Sequence, residues 1–173
     1  VFAMDARAKV SAVSTGGGLL WQADLTAEFD KNAAEVSGGG LAAAAGKVFV
    51  TTAYGELAAL DAGTGAILWR QRFDAPVIGA PTVDSGTVYA MGRDGAALAV
   101  AAENGKIKWQ APGTRAASGM VATGSAAVAD GLVVFPFSSG EVAGIDPATG
   151  ARTWGAAIAG KRLGRAYAAG MGD

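Results

Sequence analysis

Asp61, Thr64 and Trp69 lie within one short stretch, Glu56 to Trp69, which reads ELAALDAGTGAILW. A carboxylate beside a hydroxyl could help ligate a hard cation. An indole on the surface could serve as a platform for a sugar ring. Asp146, Thr149 and Trp154 repeat the arrangement in Glu141 to Trp154, EVAGIDPATGARTW. Two further stretches carry variants: Val10 to Trp21, VSAVSTGGGLLW, and Ala96 to Trp109, AALAVAAENGKIKW. Each of the four Trp in the chain therefore closes one copy of a repeated unit. Recurrence at a fixed offset favours packing for these Trp over ligand binding. It favours a turn-capping role for Asp61 and Asp146, whose side-chain oxygens can accept from backbone N–H groups, over metal ligation.

Other chemistry is bounded by composition. The 173 residues contain no His and no Cys. This removes Ser-His-Asp triads, His metal sites, thiolate nucleophiles and disulfides from this stretch of chain. The net charge of −1 argues against a phosphate-binding surface for nucleic acid. No apolar run approaches the roughly 18 residues that a membrane helix needs. No catalytic, cofactor-binding or metal-binding residue is assigned, and no cofactor is expected.

What positions these residues is a repeat. The Trp fall at spacings of 48, 40 and 45 residues. Four residues before them stand Gly17, Gly65, Gly105 and Gly150, and nine before stand Ala12, Leu60, Val100 and Ile145. Ten before stand the small residues Ser11, Ala59, Ala99 and Gly144. Fourteen before stand Gly55, Gly95 and Gly140, a column from which the first copy departs with Arg7. Twenty-three before stand Gly46, Gly86 and Gly131. We take Trp21, Trp69, Trp109 and Trp154 with Gly65, Gly105 and Gly150 as the structural residues of the repeat.

The Gly columns cut each copy into short apolar runs of strand length, joined by two to five turn residues. In the second unit the runs are Leu41–Ala45, Val48–Ala53, Leu57–Asp61 and Ala66–Phe73. In the third they are Ile78–Val83, Thr87–Met91, Ala97–Ala101 and Lys106–Ala111. In the fourth they are Ser125–Ala129, Leu132–Phe137, Val142–Asp146 and Arg152–Ile158. Each unit thus reads as a four-stranded antiparallel meander of about 40 residues, the size of one propeller blade. The expected fold is all-β: a β-propeller with about four blades here, as a single domain over 1–173. Its units are 1–25 (partial, with room for at most three strands), 38–73, 75–111 and 117–159, and 160–173 starts a further blade. The Trp would lie flat on the turn of its own or the adjacent blade, with the Gly four residues earlier leaving room for the plane. The small column would sit where blade faces crowd.

Three connectors break the period: Ala23 to Gly40, with four acidic residues, Gln110 to Gly124, and the basic Lys161 to Tyr167, KRLGRAY. The second presents Arg115, Met120 and Val121, our candidates for a partner interface. For each connector a plain structural role, as a solvated loop or a strand lead-in, stands beside the docking role.

The unit LDAGTGAILW of Leu60–Trp69, with its copy Ile145–Trp154, resembles the pyrroloquinoline-quinone-type propeller repeat. Two groups share it: quinoprotein dehydrogenases and the cofactor-free BamB lipoproteins of the outer membrane. Ser37–Leu41 before a strand, Val48–Leu60, Ala75–Ala80, Val134–Gly140 and the connector Arg162–Arg165 together resemble alphaproteobacterial BamB. That resemblance implies a cofactor-free, non-catalytic scaffold in the periplasm, part of an eight-bladed ring. It implies docking to POTRA domains of BamA, and contact with the membrane only through a lipid anchor outside this stretch. It places a contact loop near Gly119–Thr123, where the family's Arg is missing and Arg115 is the nearest.

The rival reading is a quinone-dependent dehydrogenase. It needs a calcium site of carboxylate and amide oxygens, a catalytic Asp and flat groups around the cofactor. Asn32 and Asn104 are the only Asn, and no convergent Glu/Asn/Asp set is visible. A generic propeller that binds a carbohydrate or polymer through its Trp is the third reading. Whichever holds, a part-ring leaves open blade faces and favours association of the isolated chain.

Overall fold

The computed structural model describes residues 1–26, 39–113 and 124–157. Fifteen strands are assigned among them. β1 (Phe2–Met4), β2 (Lys9–Val13) and β3 (Leu19–Asp24) form a three-stranded sheet. β4 (Gly39–Ala44), β5 (Lys47–Thr52), β6 (Glu56–Asp61) and β7 (Ile67–Arg72) form the second sheet. The third holds β8 (Val77–Asp84), β9 (Thr87–Gly92), β10 (Ala97–Ala101) and β11 (Ile107–Ala111). The fourth holds β12 (Ala127–Ala129), β13 (Leu132–Pro136), β14 (Glu141–Ile145) and β15 (Arg152–Ala157). All pairings are antiparallel between sequence neighbours, so each sheet is a meander. These are propeller blades, and among the described residues the first sheet has three strands where the others have four.

Local chemistry explains the meander. The hairpins Ala45-Gly46, Ser85-Gly86 and Asp130-Gly131 have positive φ at both residues. That is the two-residue turn whose twist matches a right-twisted hairpin, and the second position falls to Gly in each. The turn is therefore Ala45-Gly46, and Lys47, which the sequence placed in it, already pairs with Ala44. Strand ends otherwise shift by a residue or two from expectation, as with β4 starting at Gly39 and β12 at Ala127.

Packing follows period two. In β5, Val48 and Val50 face the first sheet, where they join Val10, Leu25 and Leu60. Phe49 between them faces the third sheet with Leu57, Ala59, Val88 and Val100. The second and third sheets are thus buried on both faces, and β9 is buried at every position. Tyr89, Trp109, Val133, Phe135, Phe137 and Ile145 make the core between the third and fourth sheets. The inner strands are tied by hydroxyls. Thr51 Oγ1 donates to Gly79 O at 2.6 Å, and Thr82 Oγ1 donates to Ala126 O at 2.5 Å.

Candidate functional site

The four Trp sit on the outermost strands β3, β7, β11 and β15. For Trp21, Trp69 and Trp109 the structure decides which turn is met: the turn of the following blade, not their own. A Cβ added at Gly65 would lie 2.5 Å from the Trp21 indole. One at Gly105 would lie 2.7 Å from Trp69, and one at Gly150 2.8 Å from Trp109. These glycines also have φ near +75°, so both space and backbone conformation ask for Gly. Each indole then donates its Nε1–H to the turn it covers. Trp21 reaches Ala62 O at 3.0 Å, Trp69 reaches Ala102 O at 3.2 Å, and Trp109 reaches Pro147 O at 2.9 Å. A flat apolar contact and one directed hydrogen bond thus fasten each blade to the next. The expected outcome for Gly105→Ala is a loss of about 2 kcal/mol, from left-handed strain plus displacement of the Trp69 ring. Chemical denaturation of parent and variant measures it.

A second set of rings completes the fastener. Phe2, Phe49 and Tyr89 lie 5.7, 6.0 and 6.1 Å from Trp21, Trp69 and Trp109, ring centre to ring centre. The small column explains how. Phe49 pairs with Ala59, which pairs with Trp69, so a small residue on the middle strand lets two rings meet across it. Tyr89, Ala99 and Trp109 repeat the row. In the fourth sheet the row is Val134, Gly144 and Trp154. The small residues thus answer to rings of their own sheet. The aromatic column was readable in the sequence, since Phe49 and Tyr89 each stand 20 residues before a Trp.

The first copy is corrected by one residue. Trp21 pairs with Ala12, not Ser11. Its turn is one residue shorter: Ser14 N bonds Gly18 O, where Asp61 N bonds Ala66 O. With that deletion restored, Ala8 and not Arg7 occupies the glycine column, and Ala8 carries φ +57° there. Aligning on Trp alone hid the deletion.

Asp61 and Asp146 are turn caps. Asp61 Oδ1 accepts from Gly63 N, Thr64 N and Thr64 Oγ1 at 3.0, 2.8 and 2.9 Å. Asp146 Oδ1 does the same with Ala148 N, Thr149 N and Thr149 Oγ1 at 3.0, 2.8 and 2.8 Å. The threonine hydroxyl, then its backbone N–H, holds each carboxyl below its ordinary value of 3.8. A depressed folded-state value stabilises the fold above the unfolded value and is lost as pH falls through the folded one. The double variant Asp61→Asn/Asp146→Asn is therefore expected to lose less stability than the parent on acidification below about pH 4. Thermal unfolding across that range checks it. Among the described residues, no group of three or more Asp and Glu side chains converges as a metal site.

Sequence reading missed one buried ion pair. Glu56 is fully buried, and Arg70 Nη1 reaches its Oε1 and Oε2 at 3.1 and 3.2 Å. Arg70 also donates to Leu25 O of the first blade at 3.1 Å, and Arg72 Nε lies 3.9 Å from Glu56. The signal was present in the hairpin register, which sets Glu56 opposite Arg72.

The partner candidates Arg115, Met120 and Val121 lie outside the described residues, as do Lys161–Tyr167 and most of the Ala23–Gly40 connector. The start of the Gln110–Gly124 connector is described: Gln110, Pro112 and Gly113 line an open recess with Asp94 and Ala96. A neighbouring cavity of about 170 Å³ is lined by Arg72, Phe73, Asp74, Asp94 and Gln110.

The family described as outer membrane protein assembly factor BamB matches residues 6–173. The chain belongs to the BamB family. It is 32% identical over 128 residues to the BamB of Xanthomonas campestris pv. campestris, covering 68% of this chain and 30% of that protein. Its fold is similar to the crystal structure of BamB from Moraxella catarrhalis, with TM-score 0.69 and 23% identity over 90% of this chain and 44% of that one. It is equally similar to a quinohemoprotein alcohol dehydrogenase from Comamonas testosteroni, with TM-score 0.70 and 22% identity over 90% of this chain and 33% of that one. At such identities the two structures share the fold alone with this chain. The chain spans less than half the length of the curated BamB relatives it matches.

Proposed function

We propose that this stretch is part of a non-catalytic scaffold of the outer-membrane β-barrel assembly machinery, one that docks POTRA domains of BamA. It would work on the periplasmic side of the outer membrane, held there by a lipid anchor outside this stretch. Its blade units, 1–25, 38–73, 75–111 and 117–159, would form part of an eight-bladed ring. The observation that carries the reading is the BamB family match over residues 6–173. The geometry supports it, because Asp61, Thr64, Asp146 and Thr149 are engaged in turn caps and Trp69 and Trp109 in blade fasteners. The recess beside Gln110, Pro112 and Gly113 supports docking through the connector that follows, with Arg115, Met120 and Val121 as contacts.

The test is binding of purified POTRA domains to the full-length protein by calorimetry. Stoichiometric binding is expected, and Met120→Glu/Val121→Glu should weaken it about tenfold or more at an unchanged unfolding midpoint. Absence of binding by folded protein overturns the docking claim. The similar fold of the alcohol dehydrogenase keeps one second reading in view. A stoichiometric quinone absorbance, with dye-linked alcohol oxidation after adding pyrroloquinoline quinone and calcium, would replace the scaffold with an enzyme.

A further inference from the structure

The third repeat unit departs from the second and fourth in the turn that a Trp covers. Where they have Asp61-Ala62-Gly63-Thr64-Gly65 and Asp146-Pro147-Ala148-Thr149-Gly150, it has Ala101-Ala102-Glu103-Asn104-Gly105. The capping carboxylate is gone, and an amide stands in place of the threonine hydroxyl. That amide makes one of the hydroxyl's bonds. Asn104 Oδ1 accepts from Lys106 N at 3.0 Å, as Thr64 Oγ1 does from Ala66 N at 3.3 Å and Thr149 Oγ1 from Ala151 N at 3.2 Å. Asn in place of Thr keeps the turn but adds an electrophile, because Asn104 Cγ can close a succinimide ring onto Gly105 N. Asn is for such reasons a thermolabile residue.

The surroundings favour that closure. Gly105 has no Cβ to hinder the approach. The Lys106 N–H already sits on Oδ1, the oxygen that gains charge when Cγ is attacked, and steadies it as an oxyanion-hole donor does. Asn104 is exposed, so water and hydroxide reach it. Gly105 N donates to Ala101 O at 2.9 Å, and this bond must open first. In the second and fourth turns Asp61 and Asp146 hold the loop through two further N–H groups each, a restraint that Ala101 does not supply.

We propose that Asn104 is a site of spontaneous deamidation whose isoaspartate product loosens the junction between the second and third blades. Hydroxide takes the proton of Gly105 N, the nitrogen attacks Cγ, and Nδ2 leaves as ammonia after taking a proton from water. Water then opens the succinimide at either carbonyl. Attack at Cγ gives aspartate, whose carboxylate still accepts from Lys106 N. Attack at the main-chain carbon gives isoaspartate, whose backbone runs through Cγ and is one carbon longer. The turn has no room for that carbon. A Cβ on Gly105 would already lie 2.7 Å from the Trp69 ring. Ala102 O, in the same turn, receives Trp69 Nε1 at 3.2 Å and Lys47 Nζ at 3.3 Å, both from the second sheet.

Ageing the full-length protein at mildly alkaline pH tests this. Parent and Asn104→Thr, which restores the residue of the two other turns, are mapped by peptide mass spectrometry, with an isoaspartyl methyltransferase to mark isoaspartate. The parent peptide holding Asn104 is expected to convert severalfold faster than the one holding Asn32, whose neighbour Ala33 carries a Cβ. The rate should climb with pH, since proton removal from Gly105 N starts the reaction. The aged parent should unfold several degrees below the fresh protein, and ageing should move the Asn104→Thr midpoint by less. Fresh Asn104→Asp should unfold with the fresh parent, which separates the longer backbone from the added charge. An Asn104 peptide that stays intact while that of Asn32 converts overturns the site. Isoaspartate at this position with an unchanged midpoint overturns the loosening, as does a fresh Asn104→Asp as unstable as the aged parent.

Discussion

Trp109→Ala is expected to destabilise the fold by about 4 kcal/mol, the upper range for removing a large ring from a packed core. Three observations set the size. Trp109 is only 8% exposed. Its ring lies 6.1 Å from Tyr89 and 6.3 Å from Phe135, so truncation opens a cavity between two sheets already close-packed. Its Nε1–H is the donor to Pro147 O at 2.9 Å, and the loss leaves that half-buried carbonyl without this partner. Trp109→Phe keeps the ring and loses only the donor and part of the area, so about half of the destabilisation is expected. The order across the repeat should follow burial, with Trp109 above Trp69 and Trp21, and Trp154 least. Urea unfolding of the four alanine variants measures it. Equal stability of Trp109→Ala and parent would mean that the ring is held for a ligand and not for packing.

Arg70→Met is expected to cost about 3 kcal/mol, because it removes the near cationic partner of a fully buried carboxylate. Glu56 has Arg70 as its near partner, and Arg72, 3.9 Å away and 57% exposed, is a poor replacement. The same substitution removes the donor to Leu25 O, which ties the second blade to the first. Changing both residues, as Glu56→Met/Arg70→Met, should recover about half of the loss, since the buried carboxylate is removed together with its near partner. A double variant as unstable as the single would place the whole effect in the Leu25 link. The comparison uses unfolding midpoints at neutral pH.

Asp61 and Gly65 illustrate how the fold could be read from the sequence. Each turn needs a residue that tolerates positive φ and an oxygen that caps bare N–H groups, and few residue types meet either demand. Repetition then raised single weak signals to a pattern. The register of the first copy was not legible in this way. A shortened turn between Ser14 and Gly18 moved Arg7 and Ser11 into columns that belong to Ala8 and Ala12. Only the hydrogen bonds show the slip. Glu56 and Arg70 were passed over because a Glu among apolar residues in a sequence does not reveal its burial. Burial depends on Leu25 and on the neighbouring blade, far off along the chain.

The sequence by itself determined the unit: four strands, three glycine turns and a Trp, because turns and period-two strands are governed by residues next to one another. It did not determine which blade a Trp fastens. Ring, glycine and carbonyl acceptor come from units about 40 residues apart, as Trp21, Gly65 and Ala62 do, and their meeting depends on how one sheet is stacked on the next. That stacking is set by both faces of every sheet at once, so it belongs to the tertiary structure. It also decides that Trp109 is held inside, between the third and fourth sheets.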